Sequence, residues 1–289
     1  MKITTSIYLP LLLAFCSLWA ASPAFAWDNT GHDAVALIAY DNMRPAARAR
    51  LHAILKADPR KRNLLTAATW PDDIKSPNSG IPRSQQHRDW HYINIPFARP
   101  TDPPRLPAGR NVVTQIRVEA RLLADKNVSP EERANALSWV EHLVGDIYQP
   151  LHTANRISRL HPAPKGDEGG NLFRLAGPVK NLHLYWDLAL RISPTNPGIR
   201  ALASRVEKQY PRTLFARQLR DSDPTAWAME SFRVAERVVY TVGPENPAKP
   251  PTPSAAYAAR VRKVARRQIA LAGYRLARVL DAALATEKE

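Results

Sequence analysis

Two segments of this chain carry the same pair of side chains at the same spacing. In His142-Leu-Val-Gly-Asp146 and in His183-Leu-Tyr-Trp-Asp187 an imidazole and a carboxylate stand four residues apart. On a helix that spacing puts both on one face. His152 follows just past Gln149-Pro150, where the chain turns back over a helix end. Imidazole plus carboxylate without thiolate suits zinc, and such a site can keep one position open for water. A surface ion pair is the plainer reading of one such pair taken alone. Two pairs, together with His152, weigh towards metal. So do apolar neighbours such as Trp139, Val140, Leu143 and Trp186, because an unpaired carboxylate among them is expensive. His52 and His161 have no carboxylate partner nearby in sequence and read as structural or exposed. His87, in a polar loop, reads the same way.

Side chains at helical spacing need helices to carry them. Residues 31–40 have that periodicity, with Val35, Ile38 and Ala39 on one face. Pro45 suits the first turn of a helix reaching about residue 55. A short helix is expected over 64–70. Residues 90–95 alternate and read as extended, ended by Pro96; the proline-rich 97–109 read as loop. Val112, Ile116, Ala120 and Leu123 form one stripe of a helix over 112–124. Ser129-Pro130-Glu131-Glu132 is a capping box with proline at the first helical position, opening a helix to about Tyr148. Residues 153–170 read as a glycine-punctuated loop and 171–175 as a short strand. Asn181 can cap a helix from 182 to about 191. Helices near 197–209 and 223–240, a proline-rich loop over 243–253 and a long helix over about 254–285 complete an all-α reading. Residues 27–289 are expected to form one domain around one core.

Composition narrows the function. The chain has 289 residues, a formal charge of +15, 45% apolar residues and one cysteine, Cys16. A disulfide scaffold and thiolate metal sites are excluded. The positive charge suits a polyanionic partner or simple solubility. Lys2, an apolar stretch over 7–20 and Ala24-Phe25-Ala26 read as a signal peptide, residues 1–26, cleaved on export. Cleavage would leave Trp27 first. No later segment is long and apolar enough to suggest stable membrane insertion.

At this point the residues resemble a known family, the zinc-dependent single-strand nucleases of the nuclease S-one/P-one type. The blocks are Trp27-Asp-Asn-Thr-Gly31-His32, Ala68-Thr-Trp70-Pro-Asp72-Asp73-Ile-Lys75 and Trp90-His91-Tyr92-Ile-Asn94-Ile-Pro96. Next comes Leu137 through His152, with Gly169-Gly170-Asn171, Asn181 through Asp187 and Ala272 through Ala277 behind it. Each block is weak alone; the ordered set is specific. The resemblance implies the multi-helix fold of phospholipase C and nuclease P-one, with three Zn2+ in a cleft. Asp72, His91, His142 and Asp146 would hold one ion. Asp146 would bridge to a second, also held by His32 and by the freed amine and carbonyl of Trp27. His152, His183 and Asp187 would hold the third.

The implied reaction is hydrolysis of single-stranded DNA and RNA to 5′-phosphate products, with 3′-nucleotidase action as an accompanying possibility. Asp72 would act as ligand and lie beside the attacking water. Lys75, where the family often has arginine, either touches the phosphate or is solvated. Tyr92 and Phe173 would stack on a base or pack in the core. Asn171 would bond a base edge, and Gly170 with Gly169 would allow close backbone approach. Nucleic acid and nucleotides are the expected partners of an exported, periplasmic or secreted monomer, with no protein partner implied. Arg260, Arg262, Lys263, Arg266 and Arg267 on the last helix read best as a solvated outer face. Two rivals stay open. A zinc-dependent phospholipase C is disfavoured because its last ligand is typically Glu where Asp187 stands. The other is a non-catalytic polyanion-binding protein using its His–Asp pairs structurally.

Overall fold

The computed structural model describes residues 27–99, 103–190 and 196–285; the expected signal peptide lies outside them. The helices are α1 (Asn29–Asn42), α2 (Pro45–Ala57), α3 (Leu64–Asp73), α4 (Val112–Ala124) and α5 (Pro130–Asp146). They continue with α6 (Leu182–Asp187), α7 (Asn196–Gln209), α8 (Pro224–Arg237) and α9 (Ala255–Ala283). Two short strands, β1 (Ile95–Phe97) and β2 (Ala154–Arg156), pair in parallel with Ile95 opposite Ala154. The architecture is all-α, as expected.

Local chemistry starts the helices where the sequence says. The Asn63, Asn111 and Ser129 side chains accept from backbone N–H groups in the first turns of α3, α4 and α5. At Ser129 the box is reciprocal. Its Oγ accepts from Glu132 N at 3.2 Å, and the Glu132 carboxylate accepts from Ser129 N at 3.0 Å. A cap of this kind stabilises a helix by about 1 kcal/mol. Pro45, Pro130 and Pro224 open α2, α5 and α8, where a missing N–H costs nothing.

Packing then arranges the helices around α1. Every residue of α1 from Thr30 to Ala39 is buried, the pattern of a helix inside a core. It packs on α9, α3, α7 and α5, while α5 also lies against α2, α4 and α9. The α1–α9 approach depends on Gly273, where a Cβ would sit 2.5 Å from Ile38 Cγ2. Val261, Ile269, Leu276 and Leu280 turn the inner face of α9 to the core. Arg260, Arg262 and Lys263 are exposed on its outer face, as expected. No described helix is long and apolar enough to cross a membrane.

Several local expectations are corrected, among them the helix expected from 182 to about 191, which ends at Asp187. Trp90 and His91 belong to a 3₁₀ turn, Arg88–His91, and are not extended. Pro96 lies inside β1 instead of ending a strand; a two-stranded ribbon tolerates a residue without an N–H. The loop over 153–170 contains β2, and the expected strand over 171–175 reduces to one bridge between Arg174 and Asn181.

Candidate metal centre

The histidines and aspartates singled out above converge from separate elements. His32 comes from α1, Asp72 from the last turn of α3, and His91 from the 3₁₀ turn before β1. His142 and Asp146 come from α5, His152 from the turn Pro150–His152, and His183 and Asp187 from α6. All are at least 95% buried. They form three groups: His32, Asp72 and His142; His91, His142 and Asp146; His152, His183 and Asp187. Within each group the potential ligand atoms lie within 4.8 Å of one another.

Backbone carbonyls decide which ring nitrogen faces inward. His142 Nδ1 donates to Ala68 O at 2.8 Å, His152 Nδ1 to His91 O at 2.6 Å, and His183 Nδ1 to Gly169 O at 2.7 Å. At His152 and His183, which burial keeps neutral, the bond holds the proton on Nδ1 and leaves the Nε2 lone pair pointing into the group. At His142 it fixes the ring so that Nε2 faces Asp72 and Asp146. His142 Nε2 lies only 3.1 Å from His91 Nδ1. His32 stacks on His142 with ring centroids 3.9 Å apart and points Nε2 at Asp146 Oδ1, 3.4 Å away.

This donor set fits a metal cluster. His32 Nε2, Asp72 Oδ2, Asp146 Oδ1, His152 Nε2, His183 Nε2 and Asp187 Oδ2 are all buried without a hydrogen-bond partner. So many unpaired buried polar atoms at one place call for a cation. The electrostatics agree. Burial pushes His32 and His183 down to about 3 and His91 down to about 4, so these rings are neutral and ready to ligate. Burial would also lower His142, but Asp146 and Asp72 overrule it and raise it to about 10. Burial raises the Asp187 carboxyl well above its ordinary value. Gln149 Nε2 donates to its Oδ1 at 2.6 Å, and that single neutral donor does not offset the desolvation.

His91, His152 and His183 reach the wall of a cleft of about 470 Å³ whose lining also includes Lys75, Arg88, Tyr92, Asn94 and Asn171, and the other members of the groups lie behind them. Lys75 is buried and ion-paired with Asp72, so it is not the solvated lysine of the alternative reading. Tyr92 is 40% exposed, and its hydroxyl pKa is raised mainly by burial of its inner part. Asn171 lines the rim and donates from Nδ2 to Glu168 O.

Phe173 is the clear correction. It is fully buried, with Tyr240 6.2 Å and the Arg156 guanidinium 5.2 Å from its ring. It packs in the core and offers no face to a base. Gly170 is likewise buried, at φ +79°, and packs against Leu151. Its neighbour Gly169 supplies the carbonyl that orients His183, so this glycine pair holds that imidazole in place.

Trp27 is buried, and its Nε1 donates to Gly145 O at 3.2 Å. A Cβ on Gly145 would sit 2.7 Å from His32 Nδ1, so α5 needs glycine there to admit the imidazole. The sequence reading missed Gln149, which links the two halves of the site. Its Oε1 accepts from Leu151 N while its Nε2 holds Asp187. The Gln149-Pro150 step three residues after Asp146 was the available signal. Arg88 was also missed; its Nη2 donates to Lys75 O at 2.6 Å. His161 has a carboxylate after all, Glu245 at 2.5 Å.

An all-helical chain that turns buried His/Asp groups toward a cleft is the kind of protein that holds metal ions. The sequence profile of the S1/P1 Nuclease family matches residues 27–285, and the chain belongs to that family. Nuclease S1 of Aspergillus oryzae is 31% identical over 185 residues, covering 61% of this chain and 58% of that protein. Endonuclease 2 of Arabidopsis thaliana is 26% identical over 190 residues, 61% of this chain and 60% of its own length. Nuclease P1 of Penicillium citrinum is 26% identical over 168 residues, 56% and 57% respectively. The matched stretch thus spans less than two thirds of each relative. Alpha toxin from Clostridium absonum superposes with a TM-score of 0.41 at 16% identity, covering 91% of this chain and 68% of that one.

Proposed function

We propose that this chain is an exported zinc-dependent phosphodiesterase that cuts single-stranded DNA and RNA and leaves 5′-phosphates. The observation that supports it most is the set of three buried His/Asp groups beneath an open cleft. Membership of a nuclease family adds to it. Zinc suits donors that are imidazole nitrogen and carboxylate oxygen without sulfur. Asp72, His91, His142 and Asp146 would hold one ion. Asp146, His32 and a freed Trp27 amine and carbonyl would hold a second, and His152, His183 and Asp187 a third. Removal of residues 1–26 would create the Trp27 amine and release the monomer to the periplasm or medium.

When bound, the ions would supply Lewis acidity and lower the pKa of water at the phosphate. The protein's own part is positioning. Asp72 ligates and can accept or orient a proton of the attacking water. Lys75 and Arg88 put positive charge on the cleft wall that would face a phosphate. Tyr92 offers an exposed ring for a base, and Asn171 can bond a base edge. A base must leave its stack to reach Tyr92, which favours single strands. The same site would serve 3′-nucleotides.

The test is release of acid-soluble nucleotides from single-stranded DNA by protein starting at Trp27. It is run native, after chelation, and after zinc is restored. Loss on chelation and recovery with zinc are expected. A Trp27-start protein that holds zinc and cuts phosphatidylcholine but no nucleic acid would instead be a phospholipase.

A further inference from the structure

A second concavity lies behind the cleft floor. It encloses about 380 Å³, within the range of small-molecule sites. Trp70, Trp90, Trp139 and His87 form its aromatic walls. Trp139 packs edge-on to ligand-group residue His91, with centroids 5.5 Å apart. Trp90 tilts at 57° against Trp139 at 4.8 Å and stacks on His87 at 3.9 Å. His87 keeps that stack in left-handed backbone, φ +46°, a conformation that costs a non-glycine residue on the order of 1 kcal/mol.

Glu119 of α4 lines the same pocket. It is 5% exposed, and no described group hydrogen-bonds or ion-pairs with it. A carboxylate buried among indoles without a partner is unusual. It has no place in the metal centre, and packing alone does not account for it.

We propose that this pocket binds a nucleobase with a guanine-type edge. The ring would pack on the indoles, and its ring N–H and amino group would donate to the Glu119 carboxylate. Indole faces accept any base, whereas the ionised carboxylate, present above the value of about 7 to which burial raises Glu119, only accepts and so selects the base that presents paired donors; the titrations are therefore run at about pH 8.5. An organic cation is the other natural guest of an aromatic box, but the surroundings oppose it. The Arg60 and Arg62 guanidinium groups already sit 5.6 and 4.6 Å from the Trp70 ring centre, and the chain carries +15. Arg60, at the rim, pairs with Glu131 at 2.7 Å, and a nucleotide phosphate would replace one anion there by another. The identity of the guest as a base rests on the nucleic-acid reading above.

Calorimetric titration of guanosine, adenosine and tetramethylammonium into zinc-loaded protein tests the proposal. Guanosine is expected to bind about tenfold or more tightly than adenosine, and Glu119→Gln to abolish that preference. That variant removes a buried charge and keeps the shape, so it should fold. Leu122→Arg, at an exposed rim position of the pocket, should block guanosine as well. Guanosine affinity unchanged in both variants would overturn the proposal, as would tetramethylammonium binding in place of guanosine. None of these readouts needs turnover. Glu119-dependent guanosine binding without nuclease activity would keep the pocket and refute the nuclease; activity without such binding would do the reverse.

Discussion

The floor and the rim of the cleft are built on opposite principles. On the floor, helices and tight turns fix each ligand, and carbonyl groups of Ala68, His91 and Gly169 set three of the imidazoles. At the rim, Tyr92, Asn171 and Glu168 sit on loop backbone and face water. A metal cluster requires donors held at fixed distances in a dry place, whereas a sequence-tolerant polymer site needs stacking faces that can adjust. Substitutions on the floor should therefore remove function outright, and those at the rim should only weaken binding.

The sharpest test is Asp146→Asn, because this residue faces both His32 and His91. Metal content should fall, and hydrolysis should drop by about 10³-fold or more. Retention of full metal and activity would break the distinction. Gly145→Ala comes next. It touches no ligand atom chemically, yet its Cβ would press on His32. Activity is expected to fall roughly 100-fold with the fold retained by circular dichroism. Gln149→Leu should cost about 10- to 100-fold in affinity for the metal held near Asp187, measured by competition with a chelator.

At the rim, Tyr92→Ala should raise KM about tenfold and leave kcat nearly unchanged. Phe173→Leu is its counterpart. Substrate kinetics should not change, but stability should fall by about 1 kcal/mol because the ring is core. The smallest effect concerns pH. Since burial takes His32, His91 and His183 down to about 3–4, they do not take up protons as pH falls from 7 to 5. Metal release over that range is then set by His142, raised to about 10, and by Asp187, raised by burial, each of which must give up a proton to ligate. Metal retained after dialysis should therefore fall gradually with pH and show no step near pH 6.5. A step there, where an ordinary histidine titrates, would show that the floor is wetter than its packing implies.

The same contrast explains what the sequence made legible. Helix α4 was read as 112–124 and is Val112–Ala124, because its apolar stripe has a helical period; the Asn111 cap that fixes its start was seen only in the structure. The two His-x3-Asp pairs were readable because helix geometry alone puts both side chains on one face. The grouping was not readable from spacing, since it joins elements far apart in sequence. The resemblance implied the His152, His183 and Asp187 set as it stands, but placed His32 with Asp146 and Trp27 where the structure groups it with Asp72 and His142. The β1–β2 pairing and the His161–Glu245 contact were invisible for the same reason; the latter joins residues 84 apart. Phe173 was misplaced because nothing local distinguishes an aromatic residue facing a cleft from one turned into the core. Glu119 was missed because a charged residue on an amphipathic helix reads as solvent-facing until tertiary packing covers it.

The His152 ring donates to the His91 carbonyl, and Ile93 N donates back to His152 O at 2.8 Å. Two ligands that belong to different groups thus share a single backbone fastening. Damage to either should propagate to the other, so the energetic penalties of paired substitutions across the centre should not sum. On the proposed zinc reading, coupling through this fastening would make occupancy rise with zinc concentration more steeply than independent sites would allow.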